Sequence, residues 1–548
     1  MISKDNVRNI MYDLVSVPSI AGTDAEDLGS VRLNELLAAM PYFQEHGELL
    51  RYIPIEDDYL RRHVVSAMVL AKKPTKQTII LTGHYDVVGL EEYGHLADIA
   101  FDIDALTKRI SELDLDEDSQ KDLDSNEWLF GRGTGDMKYG LALCLETLRY
   151  FTEEEDADVN LLFIGVPGEE TNSEGMLRAV KEIYRLQAEE GYEFPLLINT
   201  EAYEPDVVDK GSHYIHMGCA GKLMPMFFFC GVGTHAGELA FRGFDANLMS
   251  SELHGLFHHD SAFCQTKMGR TTPPPSCLKM TDLKDSYTIT TPNYAASYYN
   301  LITLDQDINV LMDGLKDVAR RAFESAIAID RARTEDYNKI AADKVPLQEI
   351  AVKISTFREL YDDVKSNYAG DFEADMRAYT RGLLEQGMEI QDIAMQLFKR
   401  LADLRKDKTP IIVIGFIPPY YPDGYPDGND PRIAKIVSGI DHIIDYAREK
   451  YEAPIEVKNF YMGLSDMCFT GLSPDYDYDA LFENIVGLGD FYQFPDRELK
   501  GINIPAIIFG PRSKDSHKST ERIDIPYSFD ILPELFVHFI SNYSEKLV

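Results

Sequence analysis

The sequence is poor in several things. Tryptophan occurs once in 548 residues and cysteine six times. The cysteines, at 144, 219, 230, 264, 277 and 468, form no C-x-x-C pair. That excludes a zinc knuckle or a dithiol redox motif and leaves sparse, reduced thiols. Long apolar runs are missing: LLFIGV near 161 and PIIVIGFI near 410 are far shorter than the ~20 residues of a membrane span. The opening MISKDNVRNIMYDLVSVPSI lacks the apolar core of a signal peptide. Internal repeats are absent. Positive charge is scarce, with 54 Lys plus Arg against 92 Asp plus Glu and a net charge of −38. Such a surface repels nucleic acid and anionic membranes, so neither is expected as a partner. The expectation is a soluble, cytoplasmic protein.

What is present is ordinary globular composition, 45 % hydrophobic and 27 % charged. The length predicts more than one domain, at roughly 100–200 residues each. Residues 4–16, 26–40, 137–151 and 173–189 carry helical periodicity. Short Ile/Leu/Val-rich runs at 64–71, 78–83, 159–165 and 195–200 read as buried strands. This is the rhythm of an α/β domain with a mixed, mostly parallel sheet. From about 213 the pattern changes. Helices are expected at 244–258 and 305–330, a strand-like stretch at 286–304, long charged helices over 333–407 and a strand from 410. The Pro/Asp/Gly/Tyr-dense loop 418–431 reads as a rigid rim. We therefore expect a catalytic domain of residues 1–212 and 413–548, interrupted by an inserted α+β lid domain, 213–412, enlarged by helices. The acidic run 111–127 reads as a solvated insertion.

The polar residues follow directly on the strands, where ligands bind in open α/β sheets. His84-Tyr85-Asp86 ends one strand. Asp136 lies in the glycine-rich turn GRGTGDMKYG (131–140), which has neither the Walker nor the dinucleotide spacing. Glu169 and Glu170 form GEE after LLFIGVP, and Glu201 follows PLLINT. His517 lies in the loop GPRSKDSHKSTERID. Each motif alone is weak, and an ordinary strand-end His or a surface glutamate pair is the bland reading of each. Together, two His and several carboxylates at strand ends make a mixed N/O donor set. It suits a pair of divalent metals, zinc first, with cobalt or manganese as alternatives. Such a pair lowers the pKa of a bound water and polarises a carbonyl. His213, His216, His254, His258 and His259 have no carboxylates placed with them and are read as structural.

The ordered set LVSVPSI, GHYDVV, GRGTGDMKYG, GEE and a distant H-x-x-x-E resembles the M20 metallopeptidases, the carboxypeptidase, aminoacylase and dipeptidase group. The resemblance covers about 10–245 and 455–525. The long form, with HYDVV, an enlarged middle section and GTHAGE, is similar to the arginine-utilisation RocB-type branch. The resemblance implies that Asp136 bridges two metals, with His84 and Glu201 completing one site and Glu170 and His517 the other. Glu169 would be the general base, and Asp86 would orient His84. It also implies a cis peptide at Asp136–Met137. His235, in GVGTHAGELAFRGFDAN, matches a lid-domain His that stabilises a developing oxyanion. Ser465-Asp466 matches a supporting segment near the site.

One departure concerns substrate recognition. The family's lid domain commonly carries an Arg that binds a terminal carboxylate. Here TPNYAASYYNLIT has none, and Asn300 lies near that position. Arg242 and Arg512 are the possible substitutes, and Asn293 a weaker one. The reading is thus a dinuclear zinc hydrolase acting on a peptide or N-acyl amide of a small amino-acid-derived substrate, as monomer or homodimer. The branch adds arginine or related amino-acid catabolism. The rival is a non-catalytic member of the same fold that binds a metabolite. It is disfavoured because every ligand position carries a competent residue.

Overall fold

Buried strands must have both faces covered, and the first sheet meets this with helices on each side. The computed structural model describes residues 2–154, 157–206, 211–237, 240–424, 430–473 and 476–545. Contacts group them into two units. The first is Met1–Ala220, Gly424–Ser473 and Pro495–Val548; the second is Gly221–Asp423 and Pro474–Phe494.

The first unit contains an eight-stranded mixed sheet. Its spatial order is Leu50–Pro54, His63–Val69, Asn160–Val166, Gln77–His84, Glu193–Asn199, Ala506–Ile508, His213–His216 and Ile455–Lys458. Asn160–Val166, Gln77–His84, Glu193–Asn199 and Ala506–Ile508 run parallel. Asn160–Val166 is buried throughout, and Gln77–His84 is buried after its first residue. The helix Tyr139–Glu153 is buried nearly all round, because it lies between the sheet and the N-terminal helix Lys4–Val15. The helices Pro431–Tyr451 and Leu532–Glu545 contribute Ile436, Ile440, Phe536 and Phe539 to the same core. Ser3 caps the first helix by accepting from the Asn6 amide. A left-handed Gly191 ends the helix Glu174–Glu190.

Register decides where the chemistry lies. His84 is level with Val166, and Thr82 with Asn199. The loops carrying Glu169-Glu170 and Glu201 therefore leave the same sheet edge as His84. A small antiparallel sheet, Ser513–Lys514, Arg522–Asp524 and Trp128–Phe130, carries the hairpin loop 515–521 that contains His517.

The second unit has its own six-stranded sheet, built from Ser276–Asp282, Tyr294–Thr303, Pro225–Cys230, Ile411–Phe416 and Ile354–Thr356, with Gly221–Leu223 paired to Tyr294–Thr303. Helices Ala246–Phe257 and Ile308–Ile340 belong to it. So do Phe357–Asn367, Phe372–Leu384 and Ile390–Leu404, whose apolar faces meet Phe228 and Val413.

The chain changes unit at other places than the expected 212/213 and 412/413. His213–His216 belongs to the first sheet, through parallel pairing with Ile455–Lys458. Ile411–Phe416 stays in the second unit through its pairing with Pro225–Cys230, and 474–494 makes a second excursion into that unit. The acidic run 111–127 is more than a solvated insertion. It forms the helix Glu117–Ser125, with Ser119 and Asp122 buried. In the loop 418–431, residues 425–429 lie outside the described residues. Among the described residues no helix is long and apolar enough to cross a membrane.

Gly140 shows how tightly the helix lies on the strand end. A Cβ there would meet the Thr200 carbonyl oxygen at 2.4 Å. Gly140→Ala is expected to cost about 1–3 kcal/mol through overpacking. The midpoint of urea unfolding measures it, and an unchanged midpoint would remove this contact from the packing account.

Candidate metal centre

The site grows from three strand ends, the turn Thr134–Lys138 and the hairpin. His84 Nε2 lies 3.0 Å from Asp136 Oδ1 and 3.6 Å from Glu201 Oε2. His517 Nε2 lies 3.1 Å from Asp136 Oδ2 and 3.0 Å from Glu170 Oε2. The two oxygens of one carboxylate thus face two different His/Glu pairs. These spacings are those of donor atoms sharing an ion at ligand distances of about 2.0–2.2 Å. His84, Asp136 and Glu170 offer donor atoms that all lie within 4.8 Å of one another.

His84 Nδ1 donates to the Asp86 carbonyl oxygen at 3.0 Å, which leaves Nε2 for a metal. The Asp86 carboxylate stands farther off, at 3.5 Å. It accepts instead from the amides of Glu169 and Glu170, at 3.4 and 3.1 Å. Asp86 therefore aligns the GEE segment as well as the imidazole. Glu201 is placed by a relay: Asn199 donates to Ser465 Oγ at 2.8 Å and accepts from the Glu201 amide at 2.8 Å. The Asp136–Met137 peptide is cis.

The electrostatics match the donor set. Burial pushes Glu170 up to about 7, and Asp136 adds to it. Burial, then Asp136, raises Glu201. Glu169 stands well above the carboxylate range, because burial and Glu170 outweigh His84. Asp466 is pushed up to about 8 by burial, with Asp86 and Glu201 adding, and among the described residues neither of its buried oxygens has a hydrogen-bond partner. For His84, burial opposes the charge, but hydrogen bonds to Asp136, Asp86 and Glu201 outweigh it and hold its pKa well above the usual value. The nearby cations are committed elsewhere: Lys138 Nζ donates to the Val17 carbonyl, and Arg132 pairs with Glu521. Concentrated buried carboxylates with an orphaned Asp466 fit a divalent cation site.

Glu521, the last residue of the H-x-x-x-E motif, was given no role from the sequence. It accepts from Arg132 at 2.6 Å and from the amides of Gly135 and Asp136 at 3.2 and 3.3 Å. Arg132 also donates to the His517 carbonyl, at 3.2 Å. No local pattern pairs Arg132 with Glu521, because 389 residues separate them.

Other candidates lie elsewhere. Arg512 stands 3.6 Å from Asp524, and its guanidinium carbon is 5.4 Å from the Trp128 ring centroid. Both contacts lie on the small antiparallel sheet. His235, Arg242 and Asn300 belong to the second unit. His235 is exposed, bridges to Thr290 and accepts from the Gly237 amide at 3.2 Å. Glu238 and Leu239 of its motif lie outside the described residues. Arg242 closes the turn Ala240–Arg242, and Asn300 pairs in register with Ser276. Asn293 accepts from the Gly233 amide. His213 Nδ1 shares a hydrogen bond with the Tyr203 hydroxyl at 2.6 Å, and its ring stacks on Tyr527, a structural use.

A two-histidine, carboxylate-rich donor set at the strand ends of a mixed α/β unit is a candidate divalent-metal site. The chain matches the model of peptidase family M20/M25/M40 over residues 80–542 and belongs to that family. It is 32 % identical to YqjN of Bacillus subtilis (strain 168), covering 98 % of this chain and 96 % of that protein. It is 30 % identical to Protein RocB of the same organism, with the same coverage of each. Its fold is similar to that of an M20 family metallo-carboxypeptidase, Sso-CP2 from Sulfolobus solfataricus. The TM-score is 0.54 at 12 % identity, over 99 % of this chain and 100 % of that one.

The shifts predict a pH dependence for metal-stripped protein. Glu170 titrates at about 7 in the fold against 4.5 unfolded, so its penalty grows as pH rises between those values. Hydrogen bonds to Asp136 and Glu170 raise His517 to about 11 from 6.5. Its contribution is complete below 6.5 and is lost as pH rises towards 11. Both act in one direction. The Tm of the stripped protein should fall between about pH 5 and pH 8, and zinc should raise Tm more at the upper end. A Tm that climbs with pH would contradict this charge balance.

Proposed function

We propose that this chain is a dinuclear zinc hydrolase that cleaves a peptide or N-acyl amide bond in a small amino-acid-derived substrate. One observation carries the reading: the two oxygens of Asp136 face separate His/Glu pairs, 3.0 Å from His84 and 3.1 Å from His517. Asp136 would bridge two ions, His84 and Glu201 would complete one site, and Glu170 and His517 the other. Cobalt or manganese would fit the same donors. When bound, the two ions supply Lewis acidity that polarises the scissile carbonyl and lowers the pKa of water.

The chain's own residues supply the rest. Glu169 has no place among the ligands, and burial raises its pKa. A free carboxylate beside the attacking water would take its proton and return it to the leaving amine. Asp86 fixes Glu169 by accepting from its amide and fixes His84 through its own carbonyl. His235 is assigned to the developing oxyanion on the motif match, and Asn300, Arg242 and Arg512 are the candidates for the substrate's polar end, where the family's Arg is absent. The RocB-type resemblance adds a setting in cytoplasmic arginine or related amino-acid catabolism. Light scattering separates monomer from homodimer.

Glu169→Gln keeps shape and removes the base. Its zinc content should match wild type, while kcat falls about a hundred- to ten-thousand-fold. The assay is a screen of dipeptides and N-acyl amino acids with added zinc or cobalt. Undiminished turnover by the variant would sink the assignment of Glu169.

A further inference from the structure

Burial holds His517 less than any other donor. Its side chain is 56 % exposed, whereas that of His84 is 1 % exposed. It hangs from the loop 515–521, in which Asp515 and His517 have φ of 58° and 70°. Non-glycine residues keep that left-handed conformation only when their surroundings hold it.

The holding element is Arg522, at the end of the hairpin and fully buried. Its guanidinium reaches three carboxylates. Nη1 donates to Asp515 inside the loop, Nε to Asp122 at 2.7 Å and Nη2 to Asp118 at 2.8 Å. Lys514, on the opposite strand of the hairpin, donates to Asp118 and Asp122, both at 2.8 Å. Asp118 and Asp122 are four residues apart on the helix Glu117–Ser125, and so share one face. Asp515 in turn accepts from Thr520 at 2.9 Å and Lys518 at 2.6 Å, closing the loop on itself. A guanidinium is a planar fork with fixed directions, so holding two of its nitrogens fixes the third.

We propose that the acidic helix Glu117–Ser125 is a positioning element for the second metal site. Asp118 and Asp122 fix Arg522, Arg522 fixes Asp515, and the loop then presents His517 to Asp136 and Glu170. The inference rests on the reading of His517 as a metal ligand. It assigns a task to an acidic run that composition alone left as surface charge. It also makes Arg522, Asp118 and Asp122 positioning residues, since none of them joins the donor cluster.

Zinc binding to the full-length, metal-stripped protein tests it, by competition with a chromophoric chelator. The single tryptophan, Trp128, gives a second readout, because Lys514 Nζ lies 4.9 Å from its ring centroid. Wild type should bind two equivalents, and His517→Ala should lose the second. Asp122→Asn should keep the first unchanged and weaken the second about 10- to 100-fold, as loss of a ligand's support does. It should also flatten the emission change that accompanies the second equivalent. Asp122→Glu should recover part of the affinity. Asp118→Asn, at a side chain 57 % exposed, carries the same test should Asp122→Asn not fold, with a severalfold weakening expected. Wild-type affinity for the second zinc in both Asn variants, with that equivalent lost in His517→Ala, would overturn the positioning role alone. Equal weakening of both equivalents would reduce the helix to a general stabiliser and overturn it too. Two tight equivalents in His517→Ala would remove the ligand reading, and the positioning role with it.

Discussion

Buried negative charge is the constraint on which this molecule turns. Asp136, Glu170, Glu201 and Asp466 come together at one sheet edge, where burial penalises every ionised carboxyl group. Two histidines answer part of that charge. Their hydrogen bonds outweigh burial at Asp136 and keep it below the usual carboxylate range. Among the described residues Asp466 has no hydrogen-bond partner. Divalent cations would supply what is missing.

The surrounding structure reads as a set of devices that hold these groups at ligand spacing. Parallel register brings His84 level with Val166, so two loops start from the same edge. The buried pair Arg132–Glu521 ties the Asp136 turn to the His517 loop, and Asp86 ties His84 to GEE. Breaking a buried pair on one side strands a charge, so such links specify geometry more than they add net stability. The acidic helix extends the same logic to the exposed edge of the site.

Much of this was legible in the residues. Apolar runs of strand length, each followed by His, Asp or Glu, marked the sheet and the edge where chemistry gathers. The helices at 4–15, 139–153 and 174–190 followed from 3.6-residue periodicity and came out within a few residues of their expected ends. The motif order pointed to the family that residues 80–542 match. Harder to read were groups whose partners are distant in sequence. Asp122 meets Arg522 four hundred residues away, and Arg132 meets Glu521 across a similar span. Local pattern carries no record of such pairs. The run 111–127 looked solvated because its charges were counted without their partners.

The sequence by itself determined the element types and the donor inventory, because periodicity and side-chain chemistry are local properties. The family resemblance carried by the ordered motifs implied Asp136 as the bridging carboxylate. Only the tertiary structure decided that its two oxygens face two different histidines, that Asp86 supports His84 through a main-chain oxygen, and that His213–His216 belongs to the first sheet. These are matters of register and long-range pairing. A one-residue change of register would turn a donor to the other face without altering any local pattern.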